Sequence, residues 1–357
     1  MTTLTEADLS AYAAGCALLS TGGGGAVDSE VLGAAKVLRD HGPVTLIDVD
    51  ALGPDDLVLP LSAIGAPTVA DEMLFSGREA QLVRDEVERQ TGRRVAAVMA
   101  TEIGGANGVA PVGWAAALGL PLLDADGMGR AFPELPMVSM NVAGIPTDLV
   151  VLADVQGNVA TLRPTGSDWS EHWSRALCVA SGSSAVMADY LMTGDQARTA
   201  VIRGTLTRAL HLGRLLHGGD PLAAVMADLG AMVLAEGKIT QVRRDTLEGF
   251  TRGHVTITGT GTFHGRTAIV DLLNENLAVR EDGHIRASIP DLITLLDTHT
   301  ATPLTTDTLR YGQRVTCLAW PCDPLWRTPK GLATAGPAAF GYTFAYHPVE
   351  EHHTHAA

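Results

Sequence analysis

The chain has 357 residues, of which 46% are hydrophobic and 18% are charged, a composition typical of a folded globular protein. Its 40 acidic and 25 basic residues give a net charge of −15, which argues against a nucleic-acid partner because such a partner requires a basic face. There is no leader pattern and no apolar run long enough to span a bilayer, so we expect a cytoplasmic protein that does not enter a membrane. This length predicts two domains.

Helical and strand-like segments alternate along the first part of the chain. Amphipathic spacing or buried apolar runs predict, in order, helices at 5–19 and 28–40, strands at 44–49 and 56–64, a helix at 77–92, a strand at 94–100, a helix at 106–119 and a strand at 120–126. Alternation of this kind is typical of βαβ units. The pattern therefore predicts an α/β N-terminal domain over residues 1–165, with a largely parallel or mixed sheet.

The pattern changes in the second part of the chain. A β-hairpin is predicted around the turn QGN at 156–158, and residues 168–230 are expected to be helical, most clearly at 194–219. Residues 237–325 carry short β-branched runs separated by turn residues, which are typical of a small barrel or sandwich. We therefore predict a C-terminal α+β domain over 166–357 that contains a β-barrel-like portion.

Four consecutive glycines, Gly22, Gly23, Gly24 and Gly25, stand between the first two predicted helices. Dinucleotide and P-loop motifs place their glycines after a strand, whereas these follow a helix and are accompanied by no lysine. No nucleotide cofactor is therefore expected. Glycines allow close approach of the backbone, and the following helix N-terminus favours negative charge. We interpret the run as a substrate-binding loop whose N–H groups face a bound molecule.

Acidic residues follow the ends of several predicted strands in the first domain. Carboxyl ends of parallel strands form the usual ligand crevice, and like charges gathered there must be protonated, paired or bound to a metal. Arg130 is the expected partner, and Asp124 and Asp126 are the expected ligands if a divalent metal is bound; Asp124 can instead serve only as a loop cap. The candidate catalytic acids are Glu72, Glu102, Asp124 and Asp126, and the further substrate-binding candidates are Asn107, Arg130 and Glu134.

Cys16 precedes the glycine loop by about one helical turn and is a second candidate for catalysis. A thiolate beside a ligand can attack an electrophilic carbon, although buried helical cysteines are commonly inert. The four cysteines of the chain are scattered, which is the pattern expected for reduced thiols.

Several motifs resemble the S-methyl thiohydantoin desulfurase family, whose members are often encoded beside hydantoinase and oxoprolinase genes. The motifs run in matching order from about residue 9 to 349, and they are LLSTGGGG, GAPTVADE, TEIGGANG, LLDADGMGRAFPELPM and the closing GPAAFGY at 336–342. The resemblance implies an N-terminal α/β domain, a C-terminal domain with a β-barrel portion, and hydrolysis of the C–S bond of an S-methylated thiohydantoin to a hydantoin and methanethiol. It also implies a functional link to a hydantoinase-type enzyme.

The residues suit this chemistry, since a positioned carboxylic acid can protonate a ring nitrogen while a second carboxylate or a metal activates water. A route through Cys16 as nucleophile is the alternative mechanism. Two other functions stay open: a non-catalytic partner subunit of a hydantoinase-type or oxoprolinase-type enzyme, and a metal-dependent cyclic amidohydrolase. A homodimer is the expected assembly, because C2 dimers are the commonest oligomers.

Overall fold

The structure, a computed structural model, describes residues 2–65, 75–247 and 250–353. The elements up to residue 165 are, in chain order, β1 (Thr2–Leu4), α1 (Leu9–Leu19), α2 (Asp28–His41), β2 (Val44–Ile47), β3 (Leu57–Gly65), α3 (Glu79–Thr91), β4 (Val95–Ala100), α4 (Ala106–Leu118), β5 (Leu122–Leu123), β6 (Ala125–Asp126), α5 (Ser139–Ala143), β7 (Val150–Ala153) and β8 (Val159–Leu162). The predicted alternation of helices and strands is thus observed.

The middle of the chain mixes helices with short strands. Its elements are α6 (Ser167–Ala180), β9 (Ser184–Ala188), β10 (Met192–Thr193), α7 (Gly194–Ala200), β11 (Ile202–Arg203), α8 (Thr205–Leu216) and α9 (Pro221–Leu229). Helices occupy most of the segment 168–230 that was predicted to be helical. Short strands lie between them, and β9 and β10 pair with β3 in the first sheet. The predicted helix 194–219 is two helices, since Val201 leaves the helical region and β11 pairs with β6.

The first sheet has nine strands in the described part of the chain, with the order β1-β2-β5-β4-β3-β9-β7-β8 and β10 beside β3. The pairs β2–β5, β5–β4 and β4–β3 are parallel, and the remaining pairs are antiparallel. The sheet is therefore mixed, which is one of the two arrangements predicted. Strands β3 and β4 are almost entirely buried, as expected for strands covered by helices on both faces.

The last part of the chain forms a second, antiparallel sheet. Its elements are β12 (Met232–Leu247), β13 (Phe250–Gly259), β14 (Thr267–Leu273), β15 (Glu275–Glu281), β16 (His284–Ser288), β17 (Leu292–Asp297), β18 (Arg314–Trp320) and, after the sheet, α10 (Pro329–Ala335). The strand order is β16-β15-β14-β13-β12-β18-β17, and the sheet curls into a half-barrel in which β17 approaches β15 and β16. The predicted fold class, an α/β domain joined to a domain with a barrel-like portion, is confirmed.

Two apolar cores support the two sheets. The larger core lies between the first sheet and its helices, and a smaller one fills the half-barrel around residues such as Ile257, Val270 and Ile293. No helix in the ranges 2–65, 75–247 and 250–353 has the length and apolar character that crossing a bilayer requires.

Candidate active site

A cavity of about 190 Å³ lies where loops of the first sheet meet the half-barrel. From the first domain come the glycine loop 22–25, the end of β3 and the segment that follows β4, with Thr101, Glu102 and Asn107. From the half-barrel come Glu275 at the start of β15 and the loop 305–307. The cavity is therefore built from segments more than 200 residues apart in the chain.

The glycine loop is held between the two domains by backbone hydrogen bonds. Gly22 accepts a hydrogen bond from the N–H of Thr306 at 2.9 Å, and the preceding Thr21 carbonyl accepts one from Asn276 at 2.8 Å. On the other side, the carbonyls of Gly24 and Gly25 accept from Asn107 and Ala106 at the start of α4. The loop is thus a wall of the cavity and a junction between the domains.

Glycine is required in this loop by close contacts. A Cβ at residue 23 would lie 2.0 Å from Glu275 Oε1, and one at residue 24 would lie 2.3 Å from the carbonyl oxygen of Gly104. Within the described residues, no hydrogen bond occupies the backbone N–H groups of Gly24 and Gly25. Both residues line the cavity, and an unpaired N–H group there can donate to an acceptor atom of a ligand.

Glu102 is the predicted acid that the structure places in the cavity wall. It is 6% exposed, and its Oε1 accepts a hydrogen bond of 2.6 Å from the Asn107 side chain. Its other oxygen, Oε2, has no partner among the described residues. Burial raises the pKa of Glu102 to about 8, and the hydrogen bond from Asn107 acts in the opposite direction by stabilising the carboxylate.

Glu275 is a second buried acid of the cavity, and no pattern in the sequence indicated it. It is 2% exposed, and its Oε2 also has no partner within the described ranges. Burial raises the pKa of Glu275 well above its usual range, and the charge of Glu102 raises it further. We call Glu102 and Glu275 the acid pair. Their like charges in a low-dielectric wall disfavour double ionisation, so the pair retains at least one proton near neutral pH.

Arg130 lies behind the acid pair and is completely buried. Its guanidinium donates to the carbonyls of Ala131, Pro290 and Asp291 and to the Thr21 hydroxyl, at 2.8–2.9 Å. It is not among the residues that line the cavity. The structure therefore gives Arg130 a role in joining the domains and in supplying positive charge behind the pair, and it does not place this predicted substrate-binding residue against the cavity.

Asp124 and Asp126 also lie outside the cavity wall. The Asp124 carboxylate accepts from the N–H groups of Leu206 and Thr207, both at 3.0 Å, and from the Thr207 hydroxyl, so it caps the first turn of α8. The Asp126 carboxylate accepts from three backbone N–H groups at 2.8–3.1 Å and holds the turn after β6. Burial raises the pKa of Asp126 to about 7.

Cys16 is fully buried in α1 and is not a cavity residue. Burial raises the pKa of its thiol well above the usual range, so the nucleophilic thiolate is disfavoured. All four cysteines are buried and unpaired. The structure thus offers no support for the alternative route through Cys16.

Three further charged residues line the cavity: Glu134, Arg175 and Glu30. Glu134 was predicted, whereas Glu30 and Arg175 were not. The Nε of Arg175 donates to Glu171, and its guanidinium lies 4.5 Å from the centre of the Phe250 ring. Burial raises the pKa of both Glu30 and Glu134. Glu30 could have been suspected from its place in the first turn after the glycine loop.

Comparison with known proteins shows the family of this chain. Family models named S-Me-THD-like, N-terminal domain, and S-Me-THD-like, C-terminal domain, match residues 7–164 and 165–349. The chain belongs to the S-Me-THD-like family. This confirms the resemblance to the S-methyl thiohydantoin desulfurase family that the motifs indicated. An X-ray crystal structure of a protein from Chromobacterium violaceum is similar to this S-Me-THD-like protein over 98% of this chain and 100% of that chain, with a TM-score of 0.80 and 25% identity. No curated protein matches.

The donor sets in this S-Me-THD-like protein do not favour the metal site that the sequence suggested. The oxygens of Asp124 and Asp126 are occupied by N–H and O–H donors, which compete with a cation for the same lone pairs. Within residues 2–65, 75–247 and 250–353, no group of three or more His, Cys, Asp or Glu side chains is placed to hold a metal ion. The predicted catalytic residue Glu72 lies outside the described residues.

Proposed function

We propose that the protein is a hydrolase that cleaves the C–S bond of an S-methyl thiohydantoin, releasing a hydantoin and methanethiol. The observation that carries the proposal is the acid pair. Glu102 and Glu275 are both buried in one cavity, come from different domains, and each has a carboxyl oxygen without a partner in the described part of the chain. Family membership supports the substrate class.

The two acids are suited to opposite roles. Burial and the charge of Glu102 raise the pKa of Glu275, and no side chain of the described residues donates to its carboxylate as Asn107 does to that of Glu102. Glu275 is therefore the member suited to keep its proton and act as general acid. Glu102 is stabilised as a carboxylate by the Asn107 amide, so it is the member that accepts a proton as general base. General acid–base catalysis requires this kind of separation between two titrating groups.

The reaction balances with water as the only co-substrate. Glu275 protonates the ring nitrogen next to the carbon that bears the S-methyl group, and Glu102 takes a proton from the water that adds to this carbon. The C–S bond then breaks, and methanethiol departs with the proton that Glu102 took from water. The hydroxyl proton of the adduct returns to Glu275 as the water oxygen becomes the new ring carbonyl. The backbone N–H groups of Gly24 and Gly25 are suited to donate to an oxygen of the ring.

The first experiment is thiol release from an S-methyl thiohydantoin, followed with a thiol-reactive dye and with identification of the ring product. We expect methanethiol and the intact hydantoin ring, and a loss of about 10²–10⁴-fold in kcat/KM for Glu102→Gln and for Glu275→Gln, since each removes one general catalyst. Glu6→Gln removes a carboxylate of an exposed ion pair with Arg39 and serves as the matched control.

The same assay separates the other functions. Binding of hydantoin-like compounds without turnover would overturn the proposal in favour of the partner-subunit function, and a ring-opened product that is lost on adding a chelator would overturn it in favour of the amidohydrolase. The homodimer and the link to a hydantoinase-type enzyme stay predictions. Light scattering measures the mass of the assembly, and co-purification tests the link.

A further inference from the structure

The ionisable side chains that line the cavity are mostly acidic. Among the described lining residues, five are acidic and one is basic: Glu30, Glu102, Glu134, Glu275 and Asp307 against Arg175. Arg175 is already engaged, because its Nε donates to Glu171 and its face covers the Phe250 ring. Burial raises the pKa of four of these five acids, so the wall offers carboxyl groups that can ionise beside a bound cation. It offers an anionic ring little positive charge to pair with, so it suits a cationic ring better.

The acid pair supplies the local reason for this preference. Each member presents one carboxyl oxygen that no described residue bonds, one from the segment after β4 and one from β15. A buried polar atom without a hydrogen-bond partner raises the free energy of the folded protein. We therefore take these two oxygens as the atoms to which a ligand donates hydrogen bonds. A flat ring with N–H groups on both sides of one carbon, as in an amidinium or a guanidinium, offers such donors together with a positive charge.

We propose that the cavity binds its ligand ring as a cation, and that it therefore recognises five-membered cyclic amidinium and guanidinium compounds as a class. The inference rests on the proposed function, because the S-methyl ring that Glu275 protonates is itself an amidinium-type cation. It goes further in naming the charge state that the site selects and in extending recognition to rings that have no sulfur to lose.

The groups around the pair determine what happens when a cation enters. Besides burial, the charge of Asp126 raises the pKa of Glu102, and the charge of Arg130 lowers it. The pKa of Glu275 is likewise raised by burial and by the charge of Glu102, and it is lowered by the charge of Arg130. Without a ligand, burial keeps protons on the pair. A bound cation offsets the negative charge that a carboxylate would bring, so one acid loses its proton to solvent as the cation binds. Binding of the cation thus releases a proton, whereas binding of a neutral ring does not.

The test uses two rings of nearly equal shape that differ in charge. The 2-aminoimidazolinium ion is cationic at neutral pH, and 2-imidazolidinone is its neutral counterpart. We expect titration calorimetry on the full-length protein to show binding of the cation about tenfold tighter or more, corresponding to about 1.4 kcal/mol. Repeating the titration in buffers of different ionisation enthalpy should show proton release for the cation alone.

Variants locate the preference within the cavity. Glu102→Gln and Glu275→Gln should each reduce the preference for the cation, and the double variant should abolish proton release. Gln is close in shape to a protonated Glu, so folding is expected to be retained. Glu6 is not among the residues that line the cavity, so Glu6→Gln should change neither the affinity ratio of the two rings nor the release of a proton.

Equal affinity for the two rings in the wild-type protein would overturn the inference whether or not any variant folds. This outcome is independent of the proposed function, which fails instead if no thiol is released from S-methyl thiohydantoins. A protein that prefers the cation but releases no thiol would retain the inference as a binding property and would refute the hydrolase. Preference for the cation without proton release would show that the acid pair is not its origin, and would overturn the assignment of cation recognition to Glu102 and Glu275.

Discussion

Asn107 joins Glu102 to strand β3. Its side-chain nitrogen donates to Glu102 Oε1 at 2.6 Å, and the same amide group bonds the N–H and the carbonyl of Ala63 at 2.8 and 3.2 Å. The orientation of the proposed general base is therefore determined by the backbone of a buried strand. Since the hydrogen bond favours the carboxylate, Asn107 also keeps the pKa of Glu102 below the value that burial alone would produce.

We expect the rate of thiol release to increase as pH rises through about 8, because Glu102 acts as a base only when it has lost its proton. In Asn107→Ala, the lost hydrogen bond raises the pKa of Glu102, so this increase should shift to higher pH. The kcat/KM at neutral pH should fall about 10²-fold, as expected for a misplaced catalytic group. Asn141→Ala, which removes a side chain that donates to the Pro136 carbonyl, is the control. A pH profile unchanged by Asn107→Ala would contradict this role.

Gly23→Ala should abolish most of the activity. The added methyl group would lie 2.0 Å from Glu275 Oε1, so the Glu275 side chain must leave its position in the cavity wall. We expect a decrease in kcat/KM of about 10²-fold or more, measured by thiol release. Gly33→Ala lies in α2, where the new methyl meets nothing within 4 Å beyond the adjacent backbone of its own helix, and it should keep activity and raise helix stability by about 1 kcal/mol. Full activity in Gly23→Ala would show that Glu275 is dispensable.

Asp124→Ala should affect stability more than catalysis. The Asp124 carboxylate caps α8 through Leu206 and Thr207, and loss of such a cap costs about 0.5–2 kcal/mol. Urea unfolding should show this loss in the free energy of unfolding, with kcat/KM within about threefold of wild type. Asp220→Ala, which removes the cap of α9, should likewise lower the free energy of unfolding and leave kcat/KM nearly unchanged. A decrease in rate of about 10²-fold with unchanged stability would instead restore Asp124 as a general catalyst.

Asp189 is predicted to make stability depend on pH. It is 1% exposed, and neither carboxyl oxygen has a partner in the described ranges. Burial, reinforced by the charge of Glu171, raises the pKa of Asp189 to about 7 in the folded protein. The folded state therefore holds this proton more tightly than the unfolded state, and the associated stability is present at low pH and is lost as pH rises toward 7.

In the wild-type protein, the free energy of unfolding should fall as pH rises from about 4 to about 7. Replacing Asp189 by Asn should make this fall smaller and should increase stability at pH 8. Urea unfolding across this range is the measurement. Asp154 provides a contrast, because hydrogen bonds from Asn158 and Gln156 outweigh its burial and lower its pKa. Asp154→Asn should destabilise the protein at neutral pH. An unchanged pH dependence in Asp189→Asn would show that Asp189 is not the titrating group.

Cys16→Ala should retain activity within about threefold, because the buried thiol is not part of the cavity wall and burial disfavours its thiolate. The small loss of packing should lower stability by about 1 kcal/mol. Thiol-release kinetics together with thermal unfolding separate the two effects. In the native wild-type protein, iodoacetamide should leave Cys16 unmodified, as judged by peptide mass spectrometry. Loss of activity on alkylation of this residue would revive the nucleophilic route.

The first domain was predictable because its signals are local. An apolar run such as 94–100, or amphipathic spacing such as 77–92, indicates which side chains are buried from a short stretch of sequence alone. These two segments correspond to β4 and α3. The segment that follows β4 was expected to face a ligand because carboxyl ends of parallel strands usually do, and Glu102 lines the cavity there.

Local patterns could not predict that Glu275 lines the cavity or that Asp124 caps a helix. Glu275 meets the glycine loop only because the half-barrel places the start of β15 against Gly23, which is a contact across about 250 residues of chain. Asp124 follows a strand just as Glu102 does, but α8, from a segment about 80 residues later, supplies donors that occupy its carboxylate. Spacing alone does not distinguish an acid that faces a cavity from one that meets the end of a helix.

The contacts of the glycine loop have a consequence for how such proteins can diversify. Thr21 and Gly22 are bonded to Asn276 and Thr306, and Gly24 and Gly25 are bonded to Asn107 and Ala106. A shift of the loop's contacts in one domain therefore moves the loop and, through it, the contacts in the other domain. Chimeras that exchange one domain between family members would misalign the two halves of the cavity unless the partner surfaces were exchanged with them, so we expect the two domains to be inherited and to vary as one unit.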